Sequence, residues 1–304
     1  MFLERQKLGS KRKFLGDLIT GATGNIGSAL LEQYRAKGAP SGGVRALTRG
    51  ADKVAELRAG GVEAAIGDFD HRDTLPAALE GVDAALLNSG GDPRQAEGQN
   101  AFIDAAKRAG VRRIVKISAL GASADSPIVF GRWHAETEAY LKASRLEWTI
   151  LQPSGFMQNL LQDAPGIAAT GTLYAPAGDG RVGWIDVRDI AAVAAVTLSE
   201  GGHTGQTYPL TGPQALSWAE VAQALSAATG KEVRYQDVPP EAFGATLRGH
   251  GVPEFLVGAL LSLYAVYRAG YAATVTDDVR RVTGSAPRTL AQFAADHAAA
   301  FRGA

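Results

Sequence analysis

Apolar runs of four to six residues recur through the first half of the chain: Phe14 to Ile19, Val44 to Leu47, Val62 to Ile66, Val82 to Leu87, Ile114 to Ile117 and Trp148 to Leu151. Their mostly apolar character is what a strand needs when both faces of its sheet are covered. Between them the apolar residues take helical spacing, which predicts helices at Asn25 to Lys37, 92–110 and 127–144, the second stopped by Gly110. The predicted fold class is therefore α/β, a Rossmann-like doubly wound parallel sheet over residues 13–152. Asp17 puts a charge into the first run and blurs its register. Beyond Leu151 the alternation loosens into a turn at Ala175 to Gly180 and helices near Asp189 to Glu200, Ser217 to Gly230, Glu254 to Ala269 and Arg288 to Phe301. Residues 153–304 read mostly as a smaller C-terminal substrate-side lobe, with some elements returning to the sheet.

The first run leads into Gly21-Ala-Thr-Gly24-Asn-Ile-Gly27, and a helical pattern follows it at once. Glycine at 21 permits the sharp strand-to-helix turn, glycine at 24 lets a pyrophosphate approach bare backbone, and glycine at 27 lets the helix press inward. The free N–H groups and positive dipole end of the helix would hold the anion. A dinucleotide is the expected ligand, with Gly21, Thr23, Gly24, Asn25, Ile26 and Gly27 as its contacts.

The end of the second strand selects which dinucleotide. An acidic residue there accepts from a free ribose 2′-hydroxyl, whereas Val44-Arg45-Ala46-Leu47-Thr48-Arg49 has no carboxylate and ends in a guanidinium suited to a 2′-phosphate. NADP(H) is preferred, NAD(H) is possible, and Arg45 is a candidate assistant or a strand residue in a salt bridge. Asp68 and Phe69 end the third strand, where they would meet the adenine, Asp68 having a helix cap as its alternative role. Asn88, Ser89 and Gly90 end the fourth strand beside the expected nicotinamide ribose.

Composition narrows the chemistry. Lysine plus arginine balances aspartate plus glutamate at 31 each, which gives no general attraction to nucleic acid or to an acidic membrane. With no cysteine and five scattered histidines, a metal site is not expected, and redox work falls to a bound cofactor. No run reaches membrane-spanning length, and the basic start, Arg5 to Lys13, lacks the apolar core of a signal peptide, so a cytoplasmic location is expected. Assembly into a homo-oligomer stays open.

These motifs resemble the NmrA-like atypical branch of the short-chain dehydrogenase/reductase superfamily. The similarity extends through Gly110 to Ser118, Leu151-Gln152-Pro153 and Ile185-Asp186-Val187-Arg188-Asp189-Ile190, and the segments Gly251 to Glu254 and Thr276-Asp277-Asp278 resemble the quinone, azo-dye and triphenylmethane-dye reductases of that branch. The resemblance implies NAD(P)H-dependent reduction without flavin or metal. Where most of the superfamily has Tyr-x-x-x-Lys, this chain has Phe130-Gly131-Arg132-Trp133-His134. Phenylalanine cannot donate a proton, which disfavours ordinary carbonyl chemistry and leaves electron-poor conjugated acceptors such as quinones and azo dyes.

His134 occupies the lysine place and is the candidate acid or ribose anchor, titrating near neutrality unless it only packs. Ser118 is the second catalytic candidate, and Ser118 and His134 would also touch the cofactor. Pro153 and Phe156 would floor the nicotinamide pocket, with Phe156, Asn159 and Trp133 toward a small aromatic acceptor; Phe156 can equally be core. Glu136 and Glu138 read as a solvated helix face, and Trp218, Tyr264, Tyr267 and Tyr271 as core or cleft wall. Two other activities fit the same cleft: a redox-sensing regulator without turnover, and a C=N or C=C reductase.

Overall fold

The computed structural model describes residues 16–40 and 42–303. Its strands are β1 (Asp17–Ile19), β2 (Val44–Thr48), β3 (Glu63–Ile66), β4 (Ala84–Leu87), β5 (Arg113–Ile117), β6 (Glu147–Pro153), β7 (Thr172–Ala175), β8 (Arg181–Val182), β9 (Gln206–Leu210), β10 (Leu216–Ser217) and β11 (Arg234–Asp237). Its α-helices are α1 (Asn25–Lys37), α2 (Ala51–Ala59), α3 (Leu75–Ala78), α4 (Gln95–Ala109), α5 (Val129–Ala143), α6 (Ala164–Thr170), α7 (Val187–Ser199), α8 (Trp218–Thr229), α9 (Pro240–Gly249), α10 (Glu254–Arg268), α11 (Asp278–Thr283), α12 (Leu290–Asp296) and α13 (Ala298–Arg302). Phe14 and Leu15 of the predicted first strand, and the basic start, lie outside the described residues. The last predicted helix is two, divided at His297.

Seven strands form one parallel sheet in the order β3-β2-β1-β4-β5-β6-β9. The Rossmann-like reading of the first half is the observed fold. Helices α1 and α7 pack together on one face, and α4 and α5 on the other. Apolar clusters fill both interfaces, one including Ile19, Leu30, Val115 and Ile190, the other Leu87, Phe102, Ile103 and Leu141. Phe102 has no exposed surface, and its truncation to alanine carries a cost of about 3–5 kcal/mol. The order reverses between β1 and β4, so the crevice at the C-terminal ends of these two strands is where such sheets bind ligands.

Asp17 lies within β1 and is buried. It accepts from Tyr34 Oη at 3.2 Å, and burial pushes its carboxyl up to about 6. Helix α7 is fastened at both ends. At its start, the Asp186 side chain accepts from Arg188 N at 2.9 Å and pairs with the Arg188 guanidinium at 2.7 Å. At its finish, Arg113 Nη1 donates to the carbonyls of Thr197, Leu198 and Glu200, where a cation suits the negative end of the helix. Arg188 also pairs with Asp296 at 2.7 Å, Asp189 pairs with Arg288, and Gln33 Nε2 of α1 donates to Arg188 O at 2.8 Å.

The remaining elements build a second core around Trp184, Trp218, Leu225, Phe293 and Phe301. Two small sheets belong here, β7 with β11 and β8 with β10. Trp218 is fully buried and stacks against Trp184, Tyr264 and Tyr267, so the first three of the four noted aromatics pack inward, whereas Tyr271 is exposed.

Candidate active site

The turn after β1 is shaped by absent side chains. Gly21 has φ +61°, and a Cβ there would lie 2.9 Å from Asn88 Nδ2 and O. A Cβ on Gly27 would collide with Gly21 O and stand 2.6 Å from Ala22 Cα, both main chain, so only glycine lets α1 start this close to the turn. Gly24 is the N-cap of α1, with no side-chain cap and no acidic residue in the first turn. The first intrahelical bond to it comes from Ser28 N, at 2.9 Å, which leaves the N–H groups of Asn25, Ile26 and Gly27 without helical acceptors. Thr20 ties the turn to β4: its hydroxyl donates to Leu86 O and Asn88 O and accepts from Asn88 N at 2.8 Å.

A cleft of about 680 Å³ opens above this turn. Gly21, Thr23, Gly24, Arg49, Asp68, Phe69, Asn88, Ser89 and Gly90 line it, together with Gln95 and Gly98. Arg49 is exposed and makes no hydrogen bond or ion pair with the described residues. Arg45 is elsewhere, pairing with Glu63 at 2.7 Å and donating to Ala78 O and Glu80 O, so of its two readings the salt bridge is the observed one. Asp68 caps no helix. It accepts from Asp70 N at 3.1 Å and faces His71 Nδ1 at 3.2 Å, contacts that hold its carboxyl below the ordinary value despite some burial. Phe69 packs on Phe102, and Gly98 makes room for it.

Past the edge of this cleft lies a buried polar network. Lys116 of β5 has no exposed surface. Its Nζ donates to Ile117 O at 3.1 Å and stands 3.1 Å from His134 Nδ1, and Gln95 Nε2 of α4 approaches the same nitrogen at 3.2 Å. Burial pulls the Lys116 amine down to about 7, against a smaller upward pull from Glu138. Desolvation, and next the charge of Lys116, hold His134 well below the usual histidine value. This departs from the expectation that His134 titrates near neutrality: its surroundings favour the neutral ring. Ser118 Oγ donates to Glu138 Oε1 at 2.6 Å, and Gln152 Nε2 donates to the same oxygen at 2.8 Å. Glu138 is buried, so the solvated-face reading holds for Glu136 and fails for Glu138. Gln99 donates to Ser89 Oγ at 2.8 Å, while its Oε1 is buried without a partner among the described residues.

Phe130, at the tyrosine place, lies against the cleft-lining Gly91, where a Cβ would come within 3.1 Å of its ring, and it stacks edge-on with Trp133 at 5.6 Å. Pro153 ends β6, its carbonyl accepting from Leu120 N at 2.9 Å. Phe156 bridges Ile185 and packs against the sheet core, half-buried, and Asn159 is exposed. None of Ser118, Trp133, His134, Pro153, Phe156 and Asn159 lines the phosphate-end cleft; Gln95 joins the two regions, since it lines the cleft and touches His134.

The residues present fit a phosphorylated dinucleotide: an uncapped helix start with no acidic residue in its first turn, bare backbone at Gly24 and an exposed guanidinium lining the cleft just after β2. Among the described residues no group of three acidic or histidine side chains gathers to hold a metal ion, and no helix is long and apolar enough to cross a membrane.

Residues 21–200 match a family described as NAD(P)H-binding. The chain is 47% identical over 284 residues to the NAD(P)H azoreductase of Xenophilus azovorans, covering 93% of this chain and 98% of that one. The structure resembles NADPH-dependent quinone oxidoreductase QOR2 from Escherichia coli complexed with NADPH, with TM-score 0.83 and 31% identity over 92% of this chain and 99% of that chain. It also resembles the triphenylmethane reductase of Citrobacter sp., with TM-score 0.83 and 28% identity over 93% and 99%.

Proposed function

The chain belongs to the NAD(P)H-binding family and is an NAD(P)H-dependent oxidoreductase, and we propose that it prefers NADPH and reduces electron-poor conjugated acceptors, azo dyes or quinones, without flavin or metal. The backbone of Gly21 to Gly27 would hold the pyrophosphate, Arg49 the 2′-phosphate, Asp68 and Phe69 the adenine, and Asn88 to Gly90 the ribose of the nicotinamide. When bound, the reduced nicotinamide supplies a hydride. The protein's share is to hold the acceptor, exclude water and provide a proton.

The observation that carries this reading is the side chain at position 130. A phenylalanine, packed on Trp133 at the rim of the cleft, offers an aromatic surface and no proton. An acceptor that spreads incoming charge over conjugated bonds needs only modest acid assistance, which a neutral imidazole N–H at His134 or the hydroxyl of Ser118 can give. The likeness to proteins named azoreductase and quinone oxidoreductase supports the same acceptor class.

Anaerobic mixing with NADPH and a panel of azo dyes and quinones, flavin-free, tests the proposal. Stoichiometric NADPH oxidation matched by acceptor loss is the expected result. Tight NADPH binding with no turnover on any acceptor would overturn it in favour of a redox sensor.

A further inference from the structure

Lys116 is the least expected side chain in the molecule: an amine without exposed surface, inside a sheet strand, aimed at a ring nitrogen of His134. Its strand neighbours in register are Leu87 of β4 and Ile150 of β6, both apolar. Helix α4 brings only the amide of Gln95 to the same imidazole nitrogen. Helix α5 brings His134 itself and Glu138, the carboxylate whose charge acts on the amine. The titratable and charged groups facing Lys116 are therefore these two.

Two donors converge on one atom. Lys116 Nζ at 3.1 Å and Gln95 Nε2 at 3.2 Å both meet His134 Nδ1, and toward an ammonium, which has three N–H donors and no lone pair, Nδ1 stands as an acceptor. A neutral imidazole whose Nδ1 accepts carries its hydrogen on Nε2. We propose that Lys116 is a positioning and proton-supplying residue, which fixes His134 as the Nε2–H tautomer and returns a proton to Nδ1 as Nε2–H gives one up.

The step balances. The acceptor gains two electrons with the hydride and one proton from His134 Nε2, whose N–H bond breaks as the new bond to the acceptor forms. An N–H bond of the Lys116 ammonium breaks, and Nδ1 gains that proton, leaving a neutral imidazole and a neutral amine. After the product leaves, Nδ1 gives its proton back to the Lys116 amine at 3.1 Å as water delivers one to Nε2, which restores the ammonium and the Nε2–H tautomer. The ring never becomes an imidazolium, which the buried setting and the adjacent amine disfavour. An amine whose value is drawn to about 7 can give and regain a proton in neutral solution, which an ordinary lysine does poorly. Gln95 holds the ring from the cofactor side in the starting Nε2–H tautomer.

This inference rests on the reductase reading for its chemical step, and its test separates the two. In the full-length chain labelled with 15N-histidine, the His134 Nδ1 resonance should be that of an unprotonated nitrogen and should register a titration near pH 7 belonging to the neighbouring amine. Lys116→Met, which keeps length and removes charge, should abolish that titration. With saturating NADPH and an azo dye, kcat of the parent should fall as pH rises through about 7, when the amine loses its proton; Lys116→Met should lower kcat by about tenfold and flatten the profile, with NADPH affinity within about twofold. Should Lys116→Met fail to fold, the titration in the parent decides. A protonated Nδ1, no titration in the parent, or an Lys116→Met profile that keeps the parental limb and kcat overturns the proposal. If the parent turns over no acceptor, the reductase reading and the proton transfer fall together, and the resonance still reports whether Lys116 sets the tautomer.

Discussion

The turn at the floor of the cleft is shaped by three glycines within seven residues, whereas the polar network past its edge is made of side chains drawn from β5, α4, α5, β6 and the turn after β5. The first region is built by one short stretch and depends on where no Cβ stands. The second exists only once four elements have packed, and depends on charge and hydrogen bonding among Gln95, Lys116, Ser118, His134, Glu138 and Gln152. Steric change should therefore damage the first, and loss of a polar partner the second.

The largest effect is expected from Gly27→Ala. Its methyl group meets rigid backbone at Gly21 and Ala22, so calorimetry should detect no NADPH binding, and unfolding should become easier by about 1–3 kcal/mol or more. Normal affinity in this variant would break the claim that glycine geometry makes the phosphate end. Next comes Arg49→Ala, which removes an exposed guanidinium whose charge acts on Asp68 and which makes no hydrogen bond with the described residues. Loss of charge-assisted bonds worth about 1.5–3 kcal/mol should weaken NADPH by roughly ten- to a hundredfold and leave NADH nearly unchanged; equal losses would remove the 2′-phosphate assignment.

Glu138→Gln addresses the other region. An amide keeps one carbonyl oxygen to accept from Ser118 and Gln152, which share Oε1, and loses the 3.4 Å ion pair of Oε2 with the half-exposed Lys142, at a cost of about 0–1 kcal/mol in stability. It also removes the charge that favours the protonated amine of Lys116, so the fall of kcat with pH should move to lower pH while NADPH affinity changes little. A matching loss of NADPH affinity would mean that the two ends are not separable.

The smallest effect on activity is expected at the far end of β1, outside both regions. The folded protein holds the Asp17 carboxyl at about 6, above its ordinary 3.8, so ionisation above pH 6 opposes folding. Stability should rise as pH falls from about 6 to 4, by about 1–2 kcal/mol, and Asp17→Asn should remove this slope, as thermal melts across that range would record. Unaltered pH dependence in the variant would locate the effect in other carboxyls.

The same division explains what could be read from the sequence. The apolar runs, the glycine turn and Arg49 are signals carried by neighbouring residues, and the sheet and cleft follow from them. Strand β9 was hidden by Pro209, a residue that a sheet edge accommodates where a central strand does not. Helix α9 opens at Pro240 after Pro239 and contains Gly244 and Gly249, residues that read locally as turn and loop signals. Glu136 and Glu138 look alike in sequence, yet two helical steps turn the chain by about 200°, so one meets solvent when the other meets β5 and β6. Lys116 offered one clue, a cation inside an apolar run that had to be covered on both faces. Its partner, nearly twenty positions downstream, and Gln95, from a different helix, had no signature of their own.

The fastening of α7 has a bearing on how the protein can be handled. Asp296 holds Arg188 by its guanidinium, and Gln33 grips the same residue by its carbonyl, so the C-terminal segment is moored to the helix that starts at the floor of the cleft. Trimming the tail ahead of that anchor, or fusing a bulky partner tightly against it, would be felt across the molecule as a slackened grip on the coenzyme.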